Sequence, residues 1–156
     1  MYVRPALAED ALAVETVRIN GWRTAYDGLV PSTYLDRLVV DAPRRRELMT
    51  AGDTTTLVAV EGDAVLGMAV HGPARDTDAV GLVELYALYV DPVSWRGGVG
   101  TALLAACPVP DLLWVLEANA RARAFYARHG YSPDGHEKVL DLDGPVTEIR
   151  MVLGRG

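Results

Sequence analysis

The stretch from Val83 to Ala106 constrains the fold of this chain more than any other. It reads V-E-L-Y-A-L-Y-V-D-P-V-S-W-R-G-G-V-G-T-A-L-L-A-A: a strand, a glycine-rich turn and the start of a helix. Val83, Leu85, Ala87 and Tyr89 alternate with Glu84, Tyr86, Leu88 and Val90, so the run is apolar on both faces except for one carboxylate. That is the pattern of a central strand covered on both sides. Asp91-Pro92 ends the strand, because proline has no N–H to give to a ladder, and Gly97, Gly98 and Gly100 then let the backbone approach a ligand closely. Thr101 to Ala106 reads as a short apolar helix. Free N–H groups at a glycine turn, added to the positive end of a helix dipole, suit phosphate oxygens, and a pyrophosphate is the expected occupant. A glycine turn that binds nothing is the plain alternative.

Two common phosphate loops are excluded. The motif G-x-x-x-x-G-K-[ST] is absent, which removes the lysine and magnesium-binding hydroxyl of a P-loop. The dinucleotide fingerprint G-x-G-x-x-G is absent as well, since the glycines read G-G-x-G. A second informative run, Leu113 to Tyr131, reads L-W-V-L-E-A-N-A-R-A-R-A-F-Y-A-R-H-G-Y. It is an apolar strand followed by a helix that Asn119 caps and Gly130 closes.

Around these runs the order is mixed α/β. Tyr2 to Pro5 reads as an edge strand, Asp10 to Asn20 as an amphipathic helix, and Ser32 to Leu38 and Ala42 to Thr50 as two short helices. Thr55 to Glu61 and Ala64 to Gly72 are β-rich runs joined by Gly62-Asp63, a tight hairpin signal. Leu112 to Glu117 is a strand and Ala120 to His129 a helix. Tyr131, with Lys138 to Leu142 and Thr147 to Leu153, forms a final hairpin around Asp143-Gly144-Pro145. The 156 residues, 50% hydrophobic and 23% charged, predict a single domain over 1–156 with one sizeable core. A net charge of -6 argues against a nucleic-acid binder and suits a cationic partner. The lone Cys107 excludes an internal disulfide. No secretory leader pattern opens the sequence and no apolar run is long enough to span a bilayer, so the expected location is cytoplasmic, with no membrane partner.

Taken together, Trp95-Arg96-Gly97-Gly98-Val99-Gly100 and the Asn119 to Tyr131 run resemble, in the right order, the two signatures of the GNAT superfamily of acetyl-CoA-dependent N-acetyltransferases: [QR]-x-x-G-x-[GA], then N-x-x-A-x-x-F-Y-x-x-x-G-[FY]. Trp95 stands where Gln or Arg is usual. Val3-Arg4-Pro5-Ala6 and the helix after Glu9-Asp10 resemble the family's opening, so the likeness covers nearly all of the chain. Trp22-Arg23-Thr24-Ala25-Tyr26-Asp27-Gly28-Leu29-Val30-Pro31 is similar to a subgroup that includes uncharacterised bacterial members and a polyamine acetyltransferase. The resemblance implies an α/β (α+β) fold with a mixed central sheet of six to seven strands, splayed at the acetyl-CoA site and flanked by about four helices. It implies acetyl-CoA as co-substrate, no metal, a small-molecule amine as acceptor, and transfer by direct attack in a ternary complex. A homodimer is left open.

On the same footing, Trp95, Arg96, Gly97, Gly98, Val99, Gly100 and Thr101 would cradle the pyrophosphate, and Leu88, Tyr89 and Val90 would pair with the pantetheine arm. An N–H near Leu88 or Tyr89 would face the oxyanion, while Asn119 and Phe125 would complete the coenzyme site and Arg123 or Arg128 would meet the 3′-phosphate. Tyr126 is the expected acid for the departing thiolate, with a core tyrosine as the alternative. Glu84 is the expected base, direct or through water, with a salt-bridged strand residue as the alternative. Trp22, Tyr26 and Tyr34 are the expected acceptor wall. His71, His129 and His136 lack metal-ligand spacing, Cys107 reads as a packing residue, and Arg44-Arg45-Arg46 as a solvated helix face. Two other functions fit the same residues: a catalytically silent acyl-CoA binding or sensing module, and an N-acetyltransferase of protein termini.

Overall fold

The computed structural model describes residues 1–154. Among them, seven strands form one sheet in the order β1-β2-β3-β4-β5-β7-β6, and five α-helices cover its faces. Helix α2 (Ser32–Asp36) is two residues shorter than the expected Ser32 to Leu38. No helix among the described residues is long and apolar enough to cross a membrane.

The first half of the sheet follows from local signals. Strand β2 (Thr55–Glu61) folds back through Gly62, at φ 59, onto β3 (Ala64–Pro73), and β1 (Tyr2–Pro5) pairs antiparallel with the outer edge of β2. Helix α1 (Ala11–Ala25) starts after Asp10, whose carboxylate accepts the Leu7 N–H at 2.6 Å and pairs with Arg4 at 2.7 Å. It runs five residues past the expected end at Asn20, because Gly21 lets the helix approach β4 (Val83–Val90) closely: a Cβ there would lie 3.1 Å from the Tyr89 ring. A glycine inside a helix costs about 1 kcal/mol, and here the close approach offsets it. Val14 and Val17 pack with Val58, Val60 and Met68 on this face of the sheet. Helix α3 (Ala42–Thr50) is capped by Asp41 and sends Arg45 to the buried Glu15 of α1 at 2.8 Å.

Strand β4 does not alternate evenly. Val70 pairs with Ala87 and His71 with Leu85, which leaves Tyr86 as an extra residue in a bulge. The phase change puts Leu85 and Leu88, three residues apart, into the same core, with Val99, Leu103 and Leu104 of α4 (Val99–Ala106), while Tyr89 packs on the opposite, α1 side. The even two-face alternation expected for Val83 to Val90 is corrected accordingly.

Strand β5 (Leu112–Leu116) is the only parallel neighbour of β4, reached through α4, and the two pair at just two positions, Glu84 with Leu112 and Leu85 with Leu113. Beyond these pairs the strands diverge. On its other side β5 pairs along its whole length with β7 (Pro145–Leu153), and β7 carries the edge strand β6 (Tyr131–Asp141). Strand β6 is continuous where separate pieces were expected. A register shift between Pro133 and Glu137 absorbs the proline and Gly135, which an edge strand tolerates. Helix α5 (Ala120–Arg128), between β5 and β6, covers the α4 face.

Candidate active site

The fork between β4 and β5 opens into a cleft of ≈ 760 Å³, the size of a small-molecule site. One mouth is built by the glycine loop. Arg96 and Gly98 lie in the left-handed region at φ 68 and φ 79, and Gly98 is the N-cap of α4, so the loop leads directly into a helix N-terminus, where free amides suit an anion. Trp95, Arg96, Gly98, Gly100 and Thr101 line the cleft, whereas Gly97 sits in the turn, its N–H donating to Ser94 O at 3.4 Å, and Val99 is buried in the core beneath. The Trp95 indole donates to Val90 O at 2.9 Å and carries the Arg121 guanidinium 3.4 Å above its ring. Trp95 thus occupies one carbonyl of the strand end while stacking a cation over the loop.

Helix α5 forms the second wall. Asn119 caps it by accepting the Ala122 N–H at 3.2 Å and also faces the cleft, as do Arg121 and Arg128. Arg123 turns away, donating to Glu117 O at 3.0 Å. Phe125 packs against Gly100, where a Cβ would lie 3.3 Å from its ring, so the glycine admits α5 close to α4. Tyr126 lines the cleft at 8% exposure, between Phe125 and Tyr131, and its hydroxyl makes no hydrogen bond with the described residues. Burial pushes this phenol well above its ordinary value, so it remains a neutral O–H at any physiological pH. Leu88, Tyr89 and Val90 border the open side of the fork, where no β5 partner meets them.

The far end of the cleft is aromatic. Trp22 and Tyr26 of α1 meet with ring centroids 4.8 Å apart, and the Trp22 indole donates to the Tyr89 hydroxyl at 2.7 Å. Tyr34 lies behind Trp22, 6.0 Å between centroids, and supports the wall from outside the cleft. Tyr86, Trp114, Leu116, Leu140 and Leu142 complete this end, together with Glu148 of β7. Burial raises the Tyr26 and Tyr89 phenols, so both stay neutral there.

Glu84 lies elsewhere. It sits at the paired base of the fork, 1% exposed and outside the cleft lining. Arg75 holds both of its oxygens: the Arg75 main-chain N–H donates at 3.0 Å and Nη2 at 2.6 Å, while the guanidinium stacks on Tyr86 at 4.1 Å. The apolar surroundings expected for Glu84 are therefore replaced by an ion pair with a loop residue nine positions upstream. The bulge at Tyr86 and the position of Arg75 in a loop gave the sequence no visible mark of that pairing.

Glu148, Tyr86 and Trp114 went unnoticed in the sequence. A signal for Glu148 exists: Val146, Glu148 and Arg150 share one face of β7 while Ile149 and Met151 share the other, so a charge stands on a covered face of an inner strand. Arg150 on that face is satisfied by Asp76, Asp78 and Asp134. Cys107 is buried beside Leu103, its thiol pushed up to about 11 by burial, as befits a packing residue. No cluster of metal-ligating side chains occurs among the described residues.

The acetyltransferase (GNAT) domain family matches residues 52–133. An uncharacterised N-acetyltransferase of Bacillus subtilis, YuaI, is 31% identical over 96% of this chain and 87% of its own length. Among solved structures, the PaiA N-acetyltransferase of Thermoplasma acidophilum in complex with coenzyme A superposes with a TM-score of 0.69 at 20% identity, covering 95% of this chain and 96% of its own. The ribosomal-protein-alanine N-acetyltransferase of Brucella melitensis superposes with a TM-score of 0.74 at 22% identity, covering 98% and 100%.

Proposed function

Because this chain belongs to the GNAT family of acetyltransferases, we propose that its cleft binds acetyl-CoA along the fork and passes the acetyl group directly to a primary amine entering from the aromatic end. The observation that carries this reading is the fork itself. Two paired positions followed by divergence leave one edge of β4 without a strand partner beside a helix N-terminus. An extended amide-bearing arm ending in a pyrophosphate is the ligand that completes both.

In this reading the amides of Arg96 and of Gly98 to Thr101 hold the pyrophosphate, with Arg121 and Arg128 the nearby cations for phosphate oxygens. The pantetheine arm lies along Leu88 to Val90, and a strand N–H near Leu88 or Tyr89 faces the thioester carbonyl. The amine nitrogen attacks the carbonyl carbon, the C–S bond breaks, and Tyr126 gives its proton to the leaving sulfur. A phenol raised by burial is a poor free acid, so it does not end as tyrosinate. It regains a proton from the attacking nitrogen as the amide forms. Trp22 and Tyr26 wall the acceptor, with Tyr34 behind. Glu84, neutralised below the fork, is assigned to anchoring the loop that carries Arg75.

The test is acetyl-CoA binding and turnover by the intact chain. Acetyl-CoA should raise Tm by mass action, by about 2.7 kcal/mol of stability at a hundredfold excess over Kd, and a primary-amine panel should release free thiol. A protein whose Tm does not respond to acetyl-CoA would end this reading.

A further inference from the structure

Resting on that acetyltransferase reading, we infer that Glu148 receives the acceptor as an ammonium and takes its proton, and that the acceptor is a compact cationic amine with no carboxylate beside its nitrogen. The cleft is segregated by charge. Arg96, Arg121 and Arg128 are its cations and lie toward the phosphate-binding mouth, while Glu148 is its one carboxylate among the described residues and belongs to the opposite, aromatic end.

Glu148 also differs from the other withdrawn carboxylates of this protein. Asp10, Glu15, Glu84 and Asp134 are each held by a guanidinium, at 2.7, 2.8, 2.6 and 2.7 Å. The Glu148 side chain is 18% exposed, no hydrogen bond from the described residues reaches its oxygens, and its nearest cation is Lys138 at 3.9 Å on the neighbouring strand. A carboxylate drawn out of water without close donors is costly, and a ligand ammonium is what relieves it. Trp22, Tyr26 and Tyr89 around the same end offer ring surface to the cation's methylenes and charge, while Trp114 already carries Lys138 Nζ 4.1 Å over its ring.

The groups acting on Glu148 come from every element packed around it. Burial pushes its carboxyl up, Lys138 of β6 and Arg75 of the β3–β4 loop pull it down, and Glu84 of β4 pushes it up; the net direction is upward. Tyr26 and Tyr89 face it as neutral phenols. A carboxyl displaced toward neutrality is a better match for an ammonium proton than an exposed one. The protons then balance. R–NH3⁺ gives one proton to Glu148, and the freed lone pair forms the N–C bond. As the C–S bond breaks, the second nitrogen proton replaces the one Tyr126 delivers to sulfur, and Glu148 releases its proton to solvent after the amide leaves.

The experiment measures thiol release from acetyl-CoA, across pH, with alkyl monoamines, alkyl diamines, aniline (uncharged at neutral pH), α-amino acids and a short unblocked peptide. Wild-type protein is compared with Glu148→Gln, Glu148→Asp and Lys138→Met. For wild type, kcat/KM should be highest on alkylamines. Glu148→Gln should lose on the order of a hundredfold to a thousandfold on them at neutral pH, regain part of the loss at high pH, and stay within about tenfold of wild type on aniline, with the KM for acetyl-CoA unchanged. Glu148→Asp should recover part of the activity. Lys138→Met removes a cation that lowers the Glu148 carboxyl, so the acid limb of kcat/KM should move to higher pH, a readout that stands even if Glu148→Gln fails to fold. A Glu148→Gln profile that overlays wild type, an unmoved acid limb in Lys138→Met, or a preference for α-amino acids or the peptide would each overturn the inference. Wild-type protein that binds acetyl-CoA yet turns over no alkylamine would overturn this inference and leave the coenzyme reading standing; protein whose Tm ignores acetyl-CoA would overturn both.

Discussion

Trp22 of α1 donates its indole N–H to the hydroxyl of Tyr89 of β4 at 2.7 Å, so the helix that walls one end of the cleft is registered on the strand that borders the fork. Tyr89→Phe removes the acceptor and leaves the indole N–H unpaired in a part-buried setting. The expected cost is about 1 kcal/mol of stability, read by denaturant unfolding, together with a severalfold rise in the amine KM. A change confined to the KM for acetyl-CoA would show that this contact positions the coenzyme side instead.

Tyr126→Phe keeps the packing against Phe125 and Tyr131 and removes only the hydroxyl. Loss of proton delivery should lower kcat by roughly tenfold to a thousandfold with little change in the KM for acetyl-CoA. Steady-state kinetics decide it: wild-type turnover in the variant would return Tyr126 to a packing role.

Gly98→Asp should abolish the rise in Tm caused by acetyl-CoA. Gly98 holds φ 79, a conformation that a residue with a Cβ adopts at a cost, and the new carboxylate would face incoming phosphates at the start of α4. Calorimetric titration checks it, and an unaltered Kd would place the pyrophosphate elsewhere.

Glu84→Gln should act on stability more than on rate. Arg75 would lose its charged partner, and Tm should fall by a few degrees, the equivalent of about 1 kcal/mol. The pH profile of kcat/KM for the folded variant should overlay wild type. A variant that loses rate chiefly at low pH would instead make Glu84 the base through a water chain.

Glu15 supplies a pH prediction for folding. Burial pushes its carboxyl up, but hydrogen bonds from Arg18 and Arg45 outweigh this and hold it below the usual 4.5. With the folded value lowered, the contribution is present above the unfolded value and is lost as pH falls through the folded one. Glu15→Gln should therefore be less stable than wild type at neutral pH, with the gap narrowing below about pH 4; parallel unfolding curves across that range would contradict it.

The bounds of β4 and the glycine loop were legible because proline and glycine punctuate the chain, and the family followed from two motifs in order. The bulge at Tyr86 was not legible. Val83 to Val90 is apolar at nearly every position, so a phase change leaves no contrast between faces, and the expected environment of Glu84 failed for that reason. Tyr126, Trp22 and Tyr26 could be nominated because aromatic residues stand out near recognisable signals, and the structure gathers them around one cleft. Glu148 leaves only the mark of a charge on a covered face of β7, since its meaning depends on where β5 ends and on which neighbour fails to reach it. Those are relations across the sheet, visible only once Leu116 is seen opposite Glu148.

The two-position junction of β4 with β5 also has a mechanical meaning. Through its strands the sheet is two plates riveted at one corner: β1 to β4 on one side, β5, β7 and β6 on the other. A ligand strand laid into the fork would act as a second rivet, tying together plates that the strands join only at Glu84 and Leu85. Saturation with coenzyme should then slow amide hydrogen exchange in β4 and β5 together, on both sides of the opening. The substrate would thus serve as a structural beam of the enzyme that consumes it, and each turnover would loosen the frame as the thiol departs.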